Sequence, residues 1–136
     1  SRYEHTKNLI IPSLENGKWV LCDRFYHSTY AYQGLGHGLG LESMEALKKI
    51  SIGEIEPDLV FFLDIDPVEG IKRTMGRNTN ENRFEKMDIS FHTKLREAFL
   101  DFSKIYSENS VVINANQEIN KISDVIFEEI EKRFKI

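Results

Sequence analysis

"PDLVFFLDIDPVEGIKR", residues 57 to 73, is the stretch whose reading decides the fold. Its apolar run is continuous, too short for a helix, and stops at carboxylates, Asp64 and Asp66. That is the profile of a strand buried on both faces. Pro67 follows at once and suits the first turn of a helix, where its missing N–H costs nothing. A strand passing directly into a helix is the first half of a βαβ unit.

Two other runs share the pattern. "WVLC" (19–22) ends at Asp23-Arg24, and "SVVIN" (110–114) ends at Asn114-Ala115-Asn116. Between them lie segments of helical spacing. Residues 1–15 close on Gly17 as a C-cap, with Pro12 expected to kink or tighten the helix. Residues 26–33 can turn into a helix before glycines 34, 36, 38 and 40 break regularity. Residues 41–53 read as a helix capped by Gly53. Residues 88–106 place Phe91, Leu95, Ala98, Phe99, Phe102, Ile105 and Tyr106 on one stripe. A terminal helix from about Glu118 turns Ile119, Ile122, Val125, Ile126 and Ile130 inward. Three buried strands alternating with helices predict an α/β fold with a parallel sheet covered on both faces. Ligands of such sheets sit beyond the carboxyl ends of the strands. All three predicted strands end in polar residues there.

The chain has 136 residues, within the size of one domain, so residues 1–136 are expected to form a single domain. A hydrophobic content of 40% and a net charge of −4 point to neither a nucleic-acid nor a membrane partner. No apolar run approaches the ~18 residues of a membrane span. Cys22 is the one cysteine, which excludes an intramolecular disulfide and fits a reducing cytoplasm. Placed in a buried strand, it is expected to be inert. The four histidines have no metal-ligand spacing.

Three groups of residues carry candidate chemistry. An arginine at a strand's carboxyl end, Arg24, can clamp a phosphate through its planar fork of donors, and Asp23 can hold it or face hydrated Mg²⁺. On the dipeptide alone, a structural ion pair competes with that reading. Ser28, Thr29, Tyr32 and Gln33 follow at spacings that bring one helical face to the same edge. Their hydroxyl and amide groups can read a base, and the Tyr32 ring can pack on a sugar; a polar turn with Tyr32 in the core is the plainer reading. Lys72, Arg73, Arg77 and Arg83 lie in "KRTMGRNTNENRFE", where cations on an open loop suit a lid closing over phosphates. A solvated basic loop balanced by Glu81 and Glu85 would look the same. "GLGHGLG" is not a dinucleotide fingerprint, and G-x-x-x-x-G-K-[ST] occurs nowhere in the sequence.

With "CDRF", "STYAYQG", "PDLVFFLDIDPVEGIKR", "GR…NRFE" and "VINANQEINKI" in colinear order, the sequence resembles the C-terminal two-thirds of a bacterial thymidylate kinase. That resemblance implies a P-loop-kinase-like, three-layer α/β/α fold around a parallel sheet. It implies transfer of the γ-phosphoryl group of ATP to dTMP, giving dTDP on the way to dTTP, with Mg²⁺. By position, Arg24 resembles the arginine on the acceptor phosphate, and Asp23 the acidic partner near Mg²⁺. Arg2 resembles the arginine that hydrogen-bonds thymine. Thr29 and Gln33 resemble residues lining the thymine edge, and Tyr32 the ring that disfavours a ribose hydroxyl. Arg73, Arg77 and Arg83 resemble lid arginines, in a lid spanning 72–86. Asn116 and Gln117 fall where the family's loop borders adenine. The resemblance also implies a cytoplasmic homodimer.

The family's N-terminal strands and P-loop, about 60 residues by ordinary element lengths, have no counterpart in these residues. Ser1 reads as a chain entered partway, and a polypeptide of this extent is expected not to be competent alone, because nothing in it cradles the donor phosphates. Two other functions compete. A deoxynucleoside kinase would accept a sugar hydroxyl instead of a phosphate, although "STYAYQG" argues against it. A non-catalytic nucleotide-binding remnant would keep the acceptor pocket without the donor site.

Overall fold

The computed structural model describes residues 2–29, 31–32, 41–53, 55–75 and 89–136. They form two compact units, Ser1–Glu56 and Pro57–Ile136.

In the second unit, β1 (Val60–Asp64) pairs with β2 (Ser110–Asn114) in parallel, with Phe62 opposite Val112 and Asp64 opposite Asn114. The ladder runs one step further, where the Ala115 N–H donates to the Asp64 carbonyl at 2.7 Å. Parallel strands cannot be joined by a tight turn. The crossover contains α5 (Pro67–Met75) and α6 (Ile89–Ile105). Pro67 does open α5, and the Asp66 carboxylate caps it by accepting the Val68 N–H at 2.9 Å. One sheet face carries Phe62 against Phe99 of α6, ring centroids 6.0 Å apart, beside buried Leu95 and Phe102. The other face carries Ile113 and Ala115 against Ile122 of α7 (Ile119–Phe134), with Phe61, Ile65, Val111, Val125 and Ile126 around them. Helices on both faces of a parallel sheet make this the expected α/β fold.

Burial departs from the expectation at several positions. Leu63 is 54% exposed, although Phe61 and Ile65 in the same row pack against the Ile113–Ile122 cluster. Val112 is also exposed, as are Ile105 and Ile119, each at the end of its helix, where the inward stripe runs past its packing partner.

In the first unit, α1 (Arg2–His5) runs through a π-helical turn, Thr6–Ile10, into α2 (Ile11–Glu15). The chain stays helical through Pro12, and the turn before it does not tighten but widens, with the Ile11 N–H reaching back to the Thr6 carbonyl. Proline lacks the N–H and crowds the preceding turn, and a π-turn relieves both. The rod ends as expected. Gly17 has φ +73°, its N–H donates to the Leu14 carbonyl, and Lys18 N–H donates to the Ser13 carbonyl. That pair of bonds is a Schellman cap, which needs a left-handed residue. After α3 (Tyr26–Thr29), α4 (Leu41–Ile52) packs on α1.

Residues 19–22 form no strand, contrary to the sequence expectation. Leu21 is 90% exposed and Trp19 62%. A strand exists by its ladder, and among the described residues β1 and β2 pair only with each other. Cys22 is consequently exposed and not in a buried strand. No helix among the described residues is long and apolar enough to cross a membrane.

The uneven covering of the sheet gives a test. Ile113→Ala is expected to destabilise the protein by ~2–5 kcal/mol, and Leu63→Ala by only ~0.5 kcal/mol. Urea denaturation followed by circular dichroism checks both; equal losses would mean that Leu63 is covered.

Candidate functional site

The turn after Cys22 is built around a strained arginine. Arg24 has φ +63°, a left-handed conformation that an L-residue with a side chain seldom adopts. The Cys22 thiol points to the Arg24 carbonyl at 3.9 Å, and the Ser28 N–H donates to the Phe25 carbonyl at 3.2 Å. These bonds fold the chain sharply into α3. The Arg24 side chain is then held on two sides: Nε donates to Ser28 Oγ at 3.4 Å, and the guanidinium lies 5.1 Å from the centre of the Tyr32 ring. Asp23 and Arg24 are both exposed, Thr29 and Tyr32 half-buried, and Ser28 buried. Arg24, Ser28 and Tyr32 are thus brought together as expected. Beyond Nε, the two Nη nitrogens of the exposed guanidinium complete a planar fork of donors whose spacing suits an anion. Arg2 lies in α1, and Gln33 lies outside the described residues.

Beneath this turn are residues that the sequence did not advertise. Tyr26 is 2% exposed, and its hydroxyl donates to Glu56 Oε2 at 2.8 Å. Lys48, on α4, pairs with Glu56 Oε1 and lies 4.7 Å from the centre of the Tyr26 ring. Burial pushes the Lys48 pKa below the usual lysine value, against the opposing pull of Glu45. Only the eight-residue separation of Lys48 and Glu56 across the Gly53 cap hinted at their meeting.

In the second unit, the carboxyl end of the sheet carries a separate arrangement. Asp64 accepts two bonds from Arg96, from Nε at 2.8 Å and Nη2 at 3.1 Å. This bidentate pair raises the Arg96 pKa above its ordinary value, chiefly through the hydrogen bond. Arg96 was missed in sequence because it flanks the apolar stripe, where a charged residue reads as solvent-facing; a strand-ending Asp with a cation on the covering helix was the available signal. Arg73, on α5, donates from Nη1 to the Ala115 carbonyl at 2.8 Å and from Nη2 to the Gln117 carbonyl at 3.5 Å. The loop is braced from within as well, by Asn116 N–H to Asn114 Oδ1 at 2.9 Å and Gln117 Nε2 to the Asn114 carbonyl at 2.7 Å. Arg73, Asn116 and Gln117 are therefore neighbours. Lys72 and Arg73, assigned to the start of the 72–86 lid, are helical residues of α5. Arg77 and Arg83 lie outside the described residues.

No group of three or more His, Cys, Asp or Glu side chains among the described residues could enclose a metal ion. Exposed Asp23 offers a single carboxylate. That donor set fits Mg²⁺, which keeps most of its waters and binds through one or two carboxylates and substrate phosphates.

Comparison with known proteins adds an independent line. The family model described as thymidylate kinase matches residues 1–126. A thymidylate kinase of Magnetococcus marinus is 40% identical over 134 residues, covering 98% of this chain and 64% of the relative. One of Rhodopseudomonas palustris is 43% identical, covering 98% of this chain and 59% of the relative. One of Staphylococcus epidermidis is 37% identical, with coverages of 99% and 66%. The chain spans about three-fifths of the length of the first two relatives.

The strain at Arg24 separates a functional side chain from a structural one. Arg24→Gly relieves a left-handed conformation costing ~1–2 kcal/mol and loosens the unfolded chain by ~0.4–1 kcal/mol. The expected melting temperature is unchanged or slightly higher. A clear fall would make the contacts to Ser28 and Tyr32 structural.

Proposed function

The chain belongs to the thymidylate kinase family, and from that premise we propose that the protein transfers the γ-phosphoryl group of ATP to the 5′-phosphate of dTMP, giving dTDP. The observation that carries the acceptor side is the exposed Arg24 guanidinium, oriented by Ser28 Oγ and the Tyr32 ring.

Arg24 binds the acceptor phosphate through charge-assisted hydrogen bonds, which are stronger and more directional than neutral ones. Thr29 and Gln33, with Arg2, read the thymine edge, and Ser28 keeps Arg24 aimed. Tyr32 sits against the sugar and crowds a 2′-hydroxyl. Asp23 is the residue that would hold hydrated Mg²⁺, and the ion would supply positive charge at the phosphate oxygens. Arg77 and Arg83 act, as lid arginines beyond α5, on the charge that develops on the transferring group. Arg73 belongs to the donor side: its bonds to the 115–117 loop support a role in shaping the place where adenine lies, together with Asn116 and Gln117. A single exposed cysteine suits a cytoplasmic enzyme, and the family likeness supports a homodimer.

Two measurements test this in an active polypeptide that includes residues 1–136. Arg24→Ala is expected to weaken dTMP binding by ~1.5–3 kcal/mol, read by titration calorimetry, with dTMP and not thymidine as the acceptor. Unchanged affinity would remove Arg24 from the site, and preferential phosphorylation of thymidine would overturn the acceptor assignment. Tyr32→Ala is expected to narrow the preference for dTMP over its ribonucleotide counterpart, measured as a ratio of kcat/KM values. An undiminished ratio would place that discrimination elsewhere.

A further inference from the structure

We propose that the Tyr26–Glu56–Lys48 cluster, in which Tyr26 and Lys48 are buried and Glu56 reaches solvent, is a positioning device for the acceptor-phosphate arginine, holding α3 so that Ser28 and Tyr32 keep Arg24 aimed at its anion. The inference rests on the acceptor role given to Arg24 above.

The starting point is a deficit. Arg24 sits in a left-handed conformation, and both of the side chains that orient it, Ser28 and Tyr32, lie a few residues downstream. The element that carries the nearer of them, α3, begins at Tyr26, two residues after Arg24. Short isolated helices do not hold themselves in water, because nucleation is costly. A strained residue persists only where its surroundings over-determine it. Something outside the turn must therefore fix α3, and local bonds are not enough.

Tyr26, the first residue of α3, supplies that anchor. Its ring is the most completely buried large side chain among the described residues, and its hydroxyl reaches a carboxylate thirty positions away. The other carboxylate oxygen of Glu56 takes the Lys48 ammonium, which also lies over the Tyr26 ring. The three groups form a closed triangle: a hydrogen bond, an ion pair and a cation–π contact. Each member fixes the direction of the other two, so Tyr26 is held in orientation as well as in depth.

The chemistry of Lys48 favours positioning over bulk stability. Its side chain is 7% exposed, and burying an ammonium carries a desolvation cost that an apolar side chain of similar length avoids. The pair is desolvated on the lysine side alone, since Glu56 is 44% exposed; ion pairs that carry such a cost are often neutral or unfavourable for stability compared with hydrophobic replacements, and their best-attested benefit is to specify one arrangement. In this unit the arrangement specified is the entry of α3, two residues from Arg24. The same logic covers the tyrosine hydroxyl, since phenylalanine would fill the volume without needing Glu56.

The decisive experiment is a double-mutant cycle on the folded chain, reading dTMP affinity by titration calorimetry and stability by thermal melting. Tyr26→Phe keeps the ring and removes one hydroxyl; it is expected to weaken dTMP binding roughly 3- to 10-fold. Lys48→Met is expected to weaken dTMP binding similarly while leaving the melting temperature equal or higher, a split that a purely structural role would not produce. In an Arg24→Ala background, both effects are expected to vanish, because the cluster acts through that arginine. If Arg24→Ala weakens binding but Tyr26→Phe and Lys48→Met do not, or if their effects add to it in full, the positioning role is overturned and the acceptor reading stands. If Arg24→Ala leaves dTMP affinity unchanged, the acceptor reading itself falls, and this inference with it. Should Tyr26→Phe not fold, Lys48→Met decides the same question.

Discussion

The parallel ladder between Val60–Asp64 and Ser110–Asn114 is the constraint on which the second unit depends. Parallel neighbours cannot be joined by a hairpin, so the chain between them must cross over. The crossover brings α6 onto the Phe62 face, and the chain leaving β2 brings α7 onto the Ile113 face. The same parallel register sets Asp64 and Asn114 side by side at one end. Everything polar that the unit gathers there follows from that alignment. Arg96 meets Asp64 because α6 covers β1, and Arg73 meets the 115–117 loop because α5 leaves the same end of the same strand.

Where the sequence could be read, local chemistry and burial agreed. Pro67 after Asp66, the glycines after α2 and α4, and the two runs at 60–64 and 110–114 each carry a mechanism that needs nothing distant: a cap, a left-handed turn, an apolar run of strand length. "WVLC" shows the limit of that reasoning. Its apolar pattern is that of a strand, but a strand is a relation between two segments, and pattern in one segment cannot supply the other. The exposure of Leu21 is the consequence. Leu63 teaches the same point on a smaller scale: a continuous apolar run marks β1 and predicts burial on both faces, but which of its residues are covered is decided by what packs on them.

The turn at Arg24 was legible in part, for a comparable reason. Arg24, Ser28 and Tyr32 stand at spacings of four, and local geometry brings them together. Tyr26, Lys48 and Glu56 meet across separations of eight to thirty residues, where no periodicity links them. Arg73 is an intermediate case. Its charge marked it as a phosphate group's partner, yet two of its donors are directed to backbone carbonyls of the 115–117 loop. Residue type indicated the anion chemistry of the region, and only the fold could assign that particular cation to a loop.

A left-handed arginine above a buried charge is costly twice over, and neither cost is explained by the stability of the turn. Glycine would relieve the backbone at position 24, and an apolar residue would relieve the desolvation at position 48. What those replacements would lose is direction. In the proposed phosphoryl transfer, an acceptor phosphate must be held in line with a donor to within a fraction of a bond length, since small displacements cost large factors in rate. A guanidinium on a long, flexible stem does not provide such placement by itself. Ser28 Oγ and the Tyr32 ring restrict its rotamers, and the Tyr26 anchor restricts the α3 backbone. The strain at Arg24 and the buried lysine are then two parts of one arrangement, in which conformational freedom is removed before the ligand arrives and does not have to be removed on binding.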